Sequence, residues 1–198
     1  MPVVADRVAV IVLAAGSSTR LGRLKQLADL EGRPLLQHAV DAAAAARVGE
    51  VVVVLGAAAA AVAGALVLPD TARVVENPDH ASGQASSLRA GLDALDGGVG
   101  RAVVILGDQP RLPVDAIRAV AAAAGPIARA VYRGTPGHPV AFDREVWPEL
   151  RAVTGDRGAR DVIALRQDRV TAVAIDAGAP GDVDTDEDLL RERDAAGS

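Results

Sequence analysis

Three short segments concentrate residues suited to holding phosphate and a divalent cation. The first, AAGSSTRLGRLK, follows an apolar run and contains Gly16, Ser17, Ser18, Arg20, Gly22 and Lys25. Ala14, Ala15, Gly16 and Ser17 are small enough for backbone N–H groups to approach a triphosphate closely. Arg20 and Lys25 can direct positive charge at it. The segment is not a P-loop, which ends in GK[ST], because Gly22 is followed by Arg23; it also lacks the G-x-G-x-x-G dinucleotide fingerprint. The second segment, GDQP, ends an AVVIL run and places Asp108 where a carboxylate can ligate Mg²⁺, with Pro110 stiffening the turn. The third, GDVDTDEDL, offers Asp182 and Asp184 just before a helix capped by Thr185. A nucleotide-bound Mg²⁺ takes only one or two protein carboxylates, and Asp108 with Asp184 supplies two.

The elements that must position these residues read as alternating strands and helices. Strands are expected at Val8–Leu13, Val51–Leu55, Arg73–Val75, Ala102–Leu106, Ala128–Tyr132, Pro139–Phe142 and Val170–Ile175. Runs such as VAVIVL and VVVVL lack polar alternation, as parallel strands covered on both faces do. Helices are expected at Pro34–Arg47, Ala57–Leu66, Gln84–Leu95, Val114–Ala124, Arg144–Ala152, Ala159–Arg166 and Asp186–Arg193. Pro34 suits a first-turn position, and the alanine tract at 57–63 reads as a tightly packed helix. The pattern predicts an α/β fold: three layers around a doubly wound, mainly parallel sheet. Ligands of such sheets sit beyond the carboxyl ends of the strands, where the phosphate loop and GDQP fall.

Composition narrows the class further. With 198 residues, 50% hydrophobic and 24% charged, the chain reads as a single globular domain spanning 1–198. It has no cysteine, which excludes disulfides, thiolate metal sites and cysteine nucleophiles. No secretory leader or membrane span is legible, so a cytoplasmic protein is expected. A net charge of −5 argues against a nucleic-acid partner. With one Trp, one Tyr and one Phe, stacking a base between rings is not expected.

Taken in order, LAAGSSTRLGRLKQL, NPDHASGQASSLRAGL, GDQP, GHPVAF, GDRGAR and DVDTDEDL resemble the molybdenum-cofactor nucleotidyltransferase family. The likeness is strongest to its cytidylyltransferase branch, within the wider nucleotide-diphospho-sugar-transferase-like fold. The resemblance implies that Gly16, Ser17, Arg20 and Lys25 embrace the triphosphate, that Gly83 and Ser87 lie near base and ribose, and that Asp108 and Asp184 hold Mg²⁺. It implies transfer of CMP from CTP to a small phosphorylated acceptor, the molybdopterin cofactor, with a molybdenum hydroxylase as a further partner. One departure is RLGRLK, where Leu24 stands in place of a proline that often precedes the lysine.

Other residues invite a role in binding the acceptor. His138 can face an acceptor pocket or fill a turn. Trp147 is the only large aromatic candidate beside a pterin. Arg157 and Arg160 of GDRGAR can receive an acceptor phosphate. His38 and His80 lack metal-ligand spacing and are assigned to structure or solvent. Alternatives are a guanylyltransferase, a different phosphorylated acceptor such as a sugar phosphate, a non-catalytic maturation factor for a molybdenum hydroxylase, or a nicotinamide-dependent oxidoreductase like the reductase of a nicotine-derived pigment in the same family.

Overall fold

A computed structural model of the chain describes residues 7–16 and 23–195. The elements, in order, are β1 (Arg7–Ala14), β2 (Asp29–Leu30), β3 (Arg33–Pro34), α1 (Leu35–Ala46), β4 (Gly49–Leu55), α2 (Ala59–Ala65), β5 (Ala72–Glu76), α3 (Gln84–Ala94) and β6 (Val99–Leu106). Then follow α4 (Val114–Ala122), β7 (Ile127–Tyr132), β8 (Thr135–Asp143), α5 (Trp147–Ala152), α6 (Arg160–Leu165), β9 (Val170–Ile175) and α7 (Asp186–Ala195). Seven strands form one sheet in the order β5-β4-β1-β6-β8-β7-β9. All neighbours pair in parallel except β8, which is antiparallel to both β6 and β7. The mainly parallel sheet is thus as the sequence implies.

Its apolar runs are continuous because both faces are covered. Val10 and Val12 of β1 enter a cluster with α1 and α4, whereas Ala9, Ile11 and Leu13 enter the opposite cluster with α3, α5 and α6. A strand's side chains alternate between faces, so a strand with helices on each side needs apolar residues at every position. A third, smaller cluster joins Ala28, Leu30, Leu35, Val183 and Leu189, and clamps α7 against the segment that carries Lys25.

Four local readings are corrected. The strand expected at Pro139–Phe142 is the second half of a nine-residue β8, joined to β7 by a hairpin. Arg133 and Gly134 at its tip both take positive φ, 48° and 89°, the pairing that a two-residue hairpin with right-handed strand twist requires. The alanine tract forms α2, but only Ala59 and Val62 are buried, so alanine's intrinsic helix preference maintains it rather than tight packing. Pro34 caps α1 from one residue before its first turn. Residues 144–146 form a separate short turn, and α5 begins at Trp147.

Candidate active site

The carboxyl ends of β1 and β6 lie side by side, with Leu13 in register with Leu106. Beyond them the Gly107 N–H donates to the Leu13 carbonyl at 2.9 Å. A Cβ on Gly107 would come within 2.8 Å of both Ala14 Cβ and Leu36 Cδ1, so only glycine lets the two strand ends close. Asp108 therefore emerges beside Ala14 and Ala15, both buried at the end of β1. The Asp108 carbonyl accepts the Val183 N–H at 3.0 Å, stitching the distant acidic segment to the same edge. Val183 is fully buried and points into the third cluster. Its two neighbours on the chain take different partners. Asp182 accepts a bond from Gln109 Nε2 at 2.7 Å. Asp184 reaches the Lys25 ammonium, also at 2.7 Å.

Lys25 binds Asp108 Oδ2 at 2.7 Å as well, so one ammonium joins both acids. Burial pulls its pKa down, but the two carboxylates overcome that and hold it above the ordinary lysine value. Burial pushes the Asp108 carboxyl up; Lys25 opposes this, while Asp182 and Asp184 add to it. Asp108 Oδ1 is buried with no hydrogen-bond partner among the described residues. A buried, unpaired carboxylate oxygen beside a second acid is a fit for a hard divalent cation. No group of three or more His, Asp or Glu converges among the described residues. A cation held by Asp108 and Asp184 would complete its shell with phosphate oxygens and water, as nucleotide-bound Mg²⁺ does.

Beside this junction opens a cavity of about 390 Å³ whose lining includes Ala15, Gly16, Gly83, Ser87 and Asp108. Gln26 Nε2 donates to the carbonyls of Ala14 and Gly16, at 2.8 and 3.1 Å, and fixes the start of the phosphate loop. Gly83 has φ 107°, and a Cβ there would lie 2.4 Å from the Gly155 carbonyl carbon; its glycine is set by the 155–156 loop that packs on it. Ser87 is buried, and its hydroxyl oxygen accepts from Asn77 Nδ2 at 3.1 Å, while Asn77 also donates to Ser86 at 2.8 Å. Ser17 and Arg20 lie outside the described residues, as do Ser18 and Gly22. The sequence reading missed Gln26, Asn77 and Gln109. Asn77 was marked only by Asn-Pro, a turn-starting pair, and Gln109 only by its place inside GDQP.

A second cavity, about 290 Å³, shares Leu13, Gln84 and Leu106 with the first and extends under β8. His138 lines it with Gln109 and Asp182. Burial holds His138 below the ordinary imidazole range, and its Nδ1–H donates to the Val104 carbonyl at 3.2 Å. Neutral His138 therefore keeps Nε2 as an acceptor. Trp147 does not face this cavity. It is buried beneath the sheet, donates from Nε1 to the Phe142 carbonyl at 3.1 Å and carries Arg144 over its ring at 5.1 Å. A tryptophan opening a helix over a sheet finds its largest apolar contact in the core. Arg157 pairs with Asp161 one helical turn on, at 2.6 Å, whereas Arg160 lines the second cavity. His38 bonds the Leu30 carbonyl and His80 the Asn77 carbonyl, both at structural positions.

Residues 10–170 match the MobA-like NTP transferase domain. Nicotine blue oxidoreductase of Paenarthrobacter nicotinovorans is 36% identical over 195 residues, covering 91% of this chain and 94% of that protein. The purine catabolism protein PucB of Bacillus subtilis is 30% identical over 194 residues, with the same two coverages, 91% and 94%. Among solved structures, Rv0371c of Mycobacterium tuberculosis superposes with a TM-score of 0.87 at 34% identity, over 96% of this chain and 99% of that one. Rv0371c has also been solved in complex with manganese, TM-score 0.81 at 31% identity, over the same shares, 96% and 99%. Among the described residues no helix is long and apolar enough to cross a membrane. The chain belongs to the MobA-like NTP transferase family and is a nucleotidyltransferase.

Proposed function

We propose that the enzyme transfers CMP from CTP to the phosphate of a small acceptor, the molybdopterin cofactor, and releases pyrophosphate. The observation that carries this reading is the junction of Lys25, Asp108 and Asp184 at the edge of a cavity lined by Gly16, Gly83 and Ser87. An acceptor phosphate oxygen bonds to the α-phosphorus as the bond from that phosphorus to the pyrophosphate oxygen breaks. The nucleophile is already anionic, so the protein needs no strong base; it positions groups and stabilises charge. Asp108 and Asp184 would hold Mg²⁺, which when bound neutralises triphosphate oxygens and the leaving pyrophosphate. Lys25 neutralises the same two acids here, and with Mg²⁺ bound to them its ammonium would be available to the phosphate oxygens. Arg20, Ala14, Ala15, Gly16 and Ser17 complete the phosphate cradle, and Gly83 and Ser87 hold base and ribose. Small polar groups fixed by Asn77 suit a pyrimidine edge, which a wrong base would leave unpaired. A cytoplasmic site of action, with a molybdenum hydroxylase receiving the product, agrees with the cysteine-free sequence.

The test is to incubate the protein with each NTP, Mg²⁺ and molybdopterin cofactor and to measure pyrophosphate. Release that depends on CTP supports the reading. Preference for GTP would overturn the choice of nucleotide, and no release with any NTP would overturn the choice of acceptor. The 36% identity to nicotine blue oxidoreductase favours a second reading, hydride transfer from a nicotinamide cofactor. Oxidation of NADPH in the presence of a pigment or quinone, without pyrophosphate release, would favour it.

A further inference from the structure

Arg129 and Arg160 line the second cavity together, and both also line a third cavity of about 490 Å³ that opens beyond Pro136 and Ile163. Arg129 stands in β7 between buried Ala128 and Ala130, a sheet position that usually holds an apolar side chain. Arg101, in β6, shows what such a position ordinarily demands. Its guanidinium binds Asp143 at 2.5 Å and the carbonyls of Ala123 and Gly125 at 2.8 and 3.2 Å. Arg129 has no such set: its Nε donates to the Gly137 carbonyl at a long 3.4 Å. Among the described residues neither Arg129 nor Arg160 forms an ion pair, and the Arg129 bond to Gly137 is to a neutral carbonyl. Asp182, the acid of the same cavity, accepts a bond from Gln109 and pairs with neither arginine. Burial draws the Arg129 guanidinium below its usual range, and the Arg160 charge draws it further. Two cations of one sign, one of them partly desolvated and neither of them ion-paired, repel until an anion joins them.

We propose that Arg129 and Arg160 form an anion subsite for the tail of the acceptor, so that the preferred acceptor carries a second anionic group besides the phosphate that reacts. The proposal rests on the transferase reading for the position of the reacting end. Val104, Val140 and Arg129 are in register across β6, β8 and β7, which sets Arg129 two strand spacings, roughly 10 Å, to the side of the strand that leads to Asp108. The body of such an acceptor crosses an apolar floor that includes Val104, Val140 and Phe142. It passes His138, whose Nε2 is free to accept a hydrogen bond from a ring N–H. The ligand class is therefore a phosphate monoester with a flat or apolar body about 10 Å long and a carboxylate or other anion at its far end.

Biphenyl-4-yl phosphate and 4′-carboxybiphenyl-4-yl phosphate differ only in that far anion, and calorimetric titration of the whole protein with each tests the proposal. The carboxylated ester is expected to bind about tenfold more tightly, the effect of one charge-assisted hydrogen-bond pair. Arg129→Gln and Arg160→Gln are each expected to remove that advantage and to leave CTP–Mg²⁺ affinity unchanged. Arg129→Lys, which keeps the charge but loses the fork, is expected to recover part of it. Equal binding of the two esters by the wild type, no binding of either, or an advantage that survives in Arg160→Gln would overturn the subsite. Arg160 is exposed, so its variant decides the matter even if Arg129→Gln fails to fold. Failure of CTP to bind would sink the choice of nucleotide alone, because the difference between the two esters is read without it.

Discussion

Lys25 Nζ lies 2.7 Å from Asp108 Oδ2, joining two residues that are 83 positions apart in sequence. Neither residue lies in a strand. Asp108 is fixed by the closure of β6 on β1 through Gly107, and Lys25 by a short turn that packs against α1. The ammonium is shared with Asp184, so the loop before β2, the end of β6 and the start of α7 meet at one charge. Each of these contacts makes a separate demand on mutants.

Asp108→Asn is expected to lower turnover by on the order of 10²-fold or more, because it removes a carboxylate proposed to hold the metal. Stability should hold or rise. Burial disfavours the charged form of Asp108, so an uncharged isostere loses little. Turnover near the wild-type level at limiting Mg²⁺, or a large fall in Tm, would contradict the assignment.

Lys25→Ala should cost ~3 kcal/mol of transition-state stabilisation, roughly 10²-fold in kcat/KM. It also removes the ammonium that joins Asp108 to Asp184. The apparent affinity for free Mg²⁺ or Mn²⁺ should therefore rise even as activity falls, since the metal replaces the missing ammonium. Unchanged kcat/KM would mark Lys25 as a structural counter-ion only.

Thr185 and Asp188 form a reciprocal cap at the start of α7. The Asp188 carboxylate accepts from the Thr185 hydroxyl and N–H, both at 2.8 Å, and from the Asp184 N–H at 3.0 Å. The Thr185 hydroxyl bond leads, with the backbone bonds beside it, in holding Asp188 at about 2, below the ordinary 3.8. A carboxyl depressed by folding contributes stability above its unfolded pKa and loses it as pH falls through the folded value. The cap is thus fully present above pH 3.8 and lost toward about pH 2. Asp188→Asn should lower Tm at pH 6 and converge with the wild type near pH 2. A gap in Tm that is constant across that range would show that the charge of Asp188 plays no part.

The sheet was legible because apolar runs of five or more residues rich in Val and Ile favour strands, and Asp108 because it comes just after such a run and Gly107. The choice between Asp182 and Asp184 was not. It depends on the burial of Val183 among Ala28, Leu30, Leu35 and Leu189, contacts that span most of the chain and leave no local pattern. Trp147 misled for a related reason, since scarcity made it look available when the core had claimed it. Arg157 and Arg160 read alike as exposed cations. Only the i,i+4 pairing of Arg157 with Asp161 separates them, leaving Arg160 to the cavity. Arg129 drew no notice, because one arginine inside a strand reads as solvent-facing until the helix above it is known.

Gly83→Ala tests how tightly the nucleotide cavity depends on the 155–156 loop. At φ 107° an alanine is strained whatever the space around it, and its methyl would sit 2.6 Å from the Gly155 carbonyl oxygen and 2.7 Å from Asp156 Oδ1. Backbone cannot retreat as a flexible side chain does, so the loop must shift away from α3. That shift breaks the bond from the Ala85 N–H to the Gly155 carbonyl, now 3.0 Å, and displaces Asp156 from the cavity wall. The strain alone costs on the order of 1–3 kcal/mol of stability. KM for CTP should rise several-fold with kcat changed less, because the distortion lies at the nucleotide and away from Lys25, Asp108 and Asp184. A variant with wild-type Tm would show that the loop yields freely. A loss confined to kcat would place Gly83 in the chemistry itself rather than in holding the base.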